Sequence, residues 1–197
     1  METGTPPLAP LLRMGRQLIY DSRRWRELDA GIRIVANLAA NRLVDLADLN
    51  WRRLAPLRDA LVHAAGFADT RTISADLVRI DHHPAEEPLA WLLAGWLAAK
   101  LEWPASALPT VRAVDGSDEI LTVSVGTQRP PTLEGCLNAH RACVTVTGRP
   151  PIVLPTIRES EADAVAAELR LLACETELHE TIAALAQRFA LAERPNQ

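Results

Sequence analysis

Asp81, His82 and His83 stand in a row, and two imidazoles beside a carboxylate are common material for a zinc site or for proton transfer. Adjacent side chains at a strand end point to opposite sides, however, and neither the other histidines nor Cys136, Cys143 and Cys174 fall at ligand spacing. The triplet therefore reads as a solvated turn, and no metal site is expected. Ser22, between Asp21 and Arg23, invites a nucleophile reading, but no histidine can be paired with it and the glycines of a strained elbow are missing. A strand-end serine capping the helix that follows is the simpler account. Cys136 and Cys143 would be redox-responsive if His140 or Arg141 lowered a thiol pKa, but buried inert thiols are the commoner case. The chain has no GxGxxG, Walker, HExxH or GxSxG sequence, so neither a catalytic residue nor a cofactor is expected.

The remaining candidates are basic and aromatic. Arg23-Arg24-Trp25-Arg26 and Trp51-Arg52-Arg53 combine indole rings with guanidinium forks, which bind phosphate, carboxylate or an acidic protein surface. One reading turns each tryptophan into the core and leaves the arginines solvated. The other makes them interface anchors, because Trp and Arg most often carry binding energy. Asp48 or Asn50 could cap the helix that carries Trp51. Its free amides, its dipole and two guanidinium groups would then form a local positive site on an acidic chain, suited to an acidic partner loop or a sugar phosphate. Arg23, Asp48, Asn50, Trp51, Arg52 and Arg53 are accordingly the candidate partner- or phosphate-binding residues.

Composition narrows the setting. With 197 residues, 48% of them hydrophobic and 23% charged, the chain can build a packed core, and wholesale disorder is excluded. A net charge of -4 gives no pull toward nucleic acid or anionic lipid. Three cysteines without a CxxC pair fit reduced thiols in the cytoplasm, and the stretch from Met1 to Pro10 does not read as a secretory signal. The most apolar stretch, Pro88 to Ala99, lies between Glu86, Glu87 and Lys100 and is about half of what a bilayer span needs, so it reads as a buried helix.

Hydrophobic spacing sets out the elements that would hold these groups. Gln17 to Ser22 reads as a short strand and Arg23 to Ala40 as a helix with its stripe at Trp25, Leu28, Ile32 and Val35. Asp45 to Asn50 reads as a polar connection into a helix that carries Pro56 in its first turns and stops at Gly66. A strand is expected over Thr72 to Asp81 and the central helix over Pro88 to Trp103. Ile120 to Val125, Ala142 to Thr147 and Ile152 to Pro155 should form an antiparallel meander, with turns at Gly126 to Gly135 and Gly148 to Pro151. Two amphipathic helices close the chain. The first is capped by Ser160, with Val165, Leu169 and Leu172 as its buried stripe, and the second shows Leu178, Ile182, Leu185 and Phe189. The sum is an α/β protein, with α+β left open: a mixed sheet of about five to six strands covered by helices. Residues 1–157 would form the core, and 158–197 a helical pair packed on that core or on a partner.

Asp48-Leu49-Asn50-Trp51-Arg52-Arg53-Leu54-Ala55-Pro56, followed about forty residues on by Leu92-Leu93-Ala94-Gly95-Trp96-Leu97-Ala98, resembles the OpcA family. Asp21-Ser22-Arg23 and Ala167-Glu168-Leu169-Arg170-Leu171-Leu172 resemble that family's flanking segments in the same order. The resemblance implies a non-catalytic protein that binds glucose-6-phosphate dehydrogenase, promotes its assembly or activates it allosterically, and so acts on the oxidative pentose phosphate pathway. It also implies an additional N-terminal, tryptophan-rich segment, which this chain is expected to lack. Self-association into a homo-oligomer stays open.

Overall fold

The computed structural model describes residues 15–41, 44–66, 73–126, 131–156, 159–171 and 175–192. Strand β1 (Gln17–Tyr20) is followed by a 3-10 turn (Ser22–Arg24), helix α1 (Leu28–Ala40) and strand β2 (Asp45–Asp48), which pairs parallel with β1. Helix α2 (Leu49–Ala65) starts without an intervening loop. Strand β3 (Val78–His82), helix α3 (Glu87–Lys100) and strand β4 (Thr110–Ala113) make a second parallel crossover. The antiparallel meander follows as β5 (Leu121–Val125), β6 (Leu133–Leu137), β7 (Arg141–Val146) and β8 (Ile152–Pro155), and helices α4 (Glu161–Leu171) and α5 (Thr176–Ala192) end the described chain. The larger sheet has the order β4-β3-β5-β6-β7-β8, with only β3 and β4 parallel. The fold is α/β with a mixed six-stranded sheet.

Alternation decides which face of this sheet is covered. Leu133 and Leu137 of β6 and Ala142 and Val144 of β7 are buried beneath α2, which supplies Leu54, Leu57 and Leu61, and Leu121 and Val123 of β5 join the same core. Gly135 lies in the middle of β6, where a Cβ would meet Val123 at 2.9 Å and Leu57 at 3.3 Å. The missing side chain lets α2 settle on the sheet. The same glycine hides β6 in the sequence, where its segment reads as part of a turn. Helix α3 buries Leu89, Ala90, Leu92, Leu93, Ala94 and Trp96, and so takes the central place its all-round apolarity implied. Helix α5 packs on α3 and α1 through Leu178, Ile182 and Leu185, and Gly95 of α3 makes the contact close: a Cβ there would stand 2.6 Å from the Leu185 side chain and 3.0 Å from the Thr181 carbonyl.

Several expectations are corrected. The helix expected from Arg23 starts at Leu28, after the 3-10 turn, and the cap of that turn is Asp21, which accepts the Arg23 amide, rather than Ser22. Asp45 to Asp48 is a strand, its polar ends being tolerable in a two-stranded pair. Pro56 is the eighth residue of α2, within its interior. The strand expected from Thr72 begins at Val78, and Thr72 itself lies outside the described residues. Helix α3 ends at Lys100, with Glu102 in the left-handed region at φ 51°. The stripe assigned to α4 is also rotated. Leu169 is 55% exposed while Glu168 is buried, and Leu172 and Cys174 lie outside the described residues.

Strand β8 forms one edge of the sheet. The Thr156 amide donates to the His140 carbonyl at 3.0 Å, and by antiparallel alternation the amides of Leu154 and Ile152 also face β7. The nitrogens of Pro151 and Pro155, which carry no hydrogen, therefore point outward, where an edge strand tolerates proline.

Candidate functional site

The first turn of α2 is where the candidate residues gather. Asp48 closes β2 and caps the helix, its Oδ1 accepting the Asn50 amide at 2.9 Å and, from across the chain, the Ser22 amide at 3.1 Å. It is almost fully buried. Burial pushes its carboxyl up to about 6, against the lowering effect of the Ser22 and Asn50 hydrogen bonds. Tyr20, stacked on Trp25 with ring centroids 5.4 Å apart, has its phenol raised by burial and by the Asp48 charge. Asn50 is fully buried, and its Oδ1 accepts from Arg53 Nη1 at 2.7 Å.

Each following residue of the run reaches a different carboxylate. Trp51 is 2% exposed, donates its indole N–H to Glu175, and carries the Arg58 guanidinium over its ring at 3.6 Å. Arg58 in turn donates to Glu177 at 2.9 Å, and Lys100 meets the same carboxylate at 2.6 Å. Arg52 grips Glu159 with two bonds of 2.7 and 2.8 Å and reaches Glu168 at 3.4 Å. This pairing raises the Arg52 pKa and lowers that of Glu159, whereas burial raises Glu168. Arg53 grips Glu86 at 2.8 and 2.9 Å, just ahead of α3. The run is thus a hub of intramolecular ties from α2 to the β1 end, α3, α4 and α5.

Of the six candidates, Arg23, Arg52 and Arg53 line one cleft, of about 640 Å³, while Trp51 and the fully or nearly fully buried Asp48 and Asn50 belong to the packed structure. Arg23 is tied to Asp21 at 3.2 Å, and neighbouring Arg24 to Glu161. The cleft also takes in Asp21, Asp59, Glu159 and Glu161, over a floor that includes Ile120, Leu137 and Leu154. The expected concentration of positive charge is therefore met by carboxylates. Sequence reasoning misses the carboxylates that hold Arg52 and Arg53 because Glu86, Glu159 and Glu168 lie from 33 to 116 residues away along the chain. The other chemistry-bearing groups are also engaged. Arg112 holds Asp81 with two bonds of 3.0 and 3.1 Å, His82 Nδ1 donates to the His83 carbonyl at 2.9 Å, and His83 caps the turn that follows by accepting the Ala85 amide. Cys136 and Cys143 are opposite one another on β6 and β7, with the Cys136 thiol pushed up to about 11 by burial, Glu119 and Cys143.

Residues 44–182, which include the hub and most of its acidic partners, match the family model for the C-terminal domain of OpcA, described as a glucose-6-phosphate dehydrogenase subunit. The chain belongs to the OpcA family. A stretch of 62 residues, 30% of the chain, is 42% identical to the Nostoc punctiforme protein named "Putative OxPP cycle protein OpcA", of which it covers 13%. A stretch of 95 residues, 47% of the chain, is 30% identical to the protein of the same name from Synechocystis sp., of which it covers 20%. The matched stretches thus span at most a fifth of these OpcA relatives. The family match begins at residue 44, so Asp48 to Arg53 fall within it and Arg23 outside.

Proposed function

We propose that this chain is a non-catalytic subunit that binds glucose-6-phosphate dehydrogenase in the cytoplasm and promotes its assembly or shifts it toward an active conformation, within the oxidative pentose phosphate pathway. The observation that carries this reading is the family match over residues 44–182. The geometry agrees with it in one respect: the polar run at the start of α2 is spent on joining helices to one another, as suits a rigid body that presents a surface. Activation then requires only that the subunit bind the active form of the dehydrogenase more tightly than the inactive form. The test is co-sedimentation of the purified chain with glucose-6-phosphate dehydrogenase from the same host, with the dehydrogenase rate measured with and without it. Co-migration with an altered rate is expected; no complex at micromolar concentrations of both would refute the reading.

A sugar-phosphate-binding module is the second reading, favoured by three arginines lining one cleft. Each of them already holds a carboxylate, so a phosphate would have to displace Glu159 from Arg52 or Glu86 from Arg53. The first reading is therefore preferred. An unchanged melting temperature in millimolar glucose 6-phosphate would remove the second.

A further inference from the structure

The cleft that holds Arg52 and Arg53 is lined by three arginines and four carboxylates, Asp21, Asp59, Glu159 and Glu161. Arg23, Arg52 and Arg53 are occupied by Asp21, Glu159 and Glu86, and Arg24 by Glu161. Asp59 lines the same cleft, is exposed, and has no ion-pair partner among the described residues. Its cationic neighbour Arg58 is committed to Glu177 and the Trp51 ring. A second acceptor, short of its usual helical bond, comes from Pro56. Proline has no N–H, so the Arg52 main-chain carbonyl loses the amide four residues on that would otherwise bond it. Positions 52, 56 and 59 follow the i, i+4, i+7 rule and share one face of α2, the face that lines the cleft. That wall therefore offers a carboxylate, and a carbonyl short of its i+4 amide, above a hydrocarbon floor that includes Leu154.

We infer that the cleft docks a lysine- or arginine-bearing segment of the dehydrogenase, with the aliphatic stem of the basic side chain against Pro56 and Leu154 and its charged head at Asp59 and the Arg52 carbonyl. Charge complementarity selects this occupant: a basic head meets the carboxylate that has no cation among the described residues, in a lining where carboxylates outnumber arginines, and a long stem covers the apolar floor. An acidic or phosphorylated segment would face Asp59 and would have to compete with the carboxylates that Arg23, Arg52 and Arg53 already hold. The inference rests on the dehydrogenase-binding reading above and adds the place and the chemistry of contact.

The test uses the full chain, immobilised, with purified glucose-6-phosphate dehydrogenase of the same host as analyte. Wild type is compared with Asp59→Asn and Asp59→Lys, and thermal melts check that each variant is folded. Reversing a charge that faces a basic segment should weaken binding by about tenfold or more, and neutralising it by a smaller factor. Raising the ionic strength should weaken wild type more than Asp59→Asn. If wild type binds and Asp59→Lys binds within about twofold of it, the docking inference is overturned while the dehydrogenase-binding reading stands. If folded wild type does not bind the dehydrogenase at all, both fall.

Discussion

Asp48 holds an ionisable group where water hardly reaches it, and the consequence is measurable. Its carboxyl titrates at about 6 in the folded chain, against an ordinary value of 3.8. Between those pH values the folded state binds more protons than the unfolded one, so the contribution of this group to stability is fully present below about pH 4 and declines as pH rises through about 6. Asp48→Asn keeps an oxygen for the Ser22 and Asn50 amides but cannot ionise. A series of melts from pH 4 to pH 7 should therefore show a decline on the order of 2 kcal/mol in wild type that the variant lacks. Equal slopes in the two proteins would show that Asp48 does not titrate in this range. Trp51 makes the opposite case, a residue that looks like a surface anchor in the sequence and is packed in the core, against Arg58 and Glu175. Trp51→Ala should lower unfolding free energy in urea by about 3–5 kcal/mol, and Trp51→Phe, which keeps most of the packing but loses the bond to Glu175, by about 1 kcal/mol beyond the change in volume. A Trp51→Ala chain as stable as wild type would restore the surface reading.

Elements are legible in the sequence where one face meets hydrocarbon and obscure where a distant charge decides. The stripe of α5 at Leu178, Ile182 and Leu185 and the all-round apolarity of α3 can be read directly, because burial by apolar neighbours leaves a periodic mark. Helix α4 leaves no such mark. It is fastened by Arg52 to Glu159 and Glu168, and by Arg24 to Glu161, so Glu168 is buried and Leu169 half exposed. Nothing local could show that. Strand β4, Thr-Val-Arg-Ala with its outer positions exposed, escapes sequence reasoning because an edge strand has no buried alternation to display. For the candidate site, the local sequence is enough to mark the start of α2 as special, including the Asp48 cap, but not to reveal that its guanidinium groups are neutralised by the distant Glu86, Glu159 and Glu168. Gly95, where α5 comes closest to α3, gives an element-scale prediction. Gly95→Ala must push α5 off α3 by several tenths of an ångström, and the expected loss is about 1–3 kcal/mol in a urea melt, with the Trp91–Phe189 contact loosened in step. A neutral substitution would mean that α5 is free to shift.

At the scale of the whole molecule, the sheet and its helices share one buried cluster to which the last helix belongs. Leu178, Ile182 and Leu185 fill the space above α3, so a chain ended after Leu171 leaves Leu92, Leu93 and Trp96 without part of their cover. Such a chain should lose its cooperative thermal transition and bind a hydrophobic dye. A sharp melt at the wild-type temperature would instead mark residues 158–197 as a unit separable from 1–157. The outward prolines in and just before β8, Pro155 and Pro151, have a different consequence. They leave Val153 as the only residue of that edge strand with an outward amide, whereas β4 at the far edge contains no proline. A filament needs two usable ends on every copy, and here one end offers a single outward amide. If copies of this chain ever join edge to edge, the same β4 must serve on both sides, and the assembly closes at two copies about a two-fold axis.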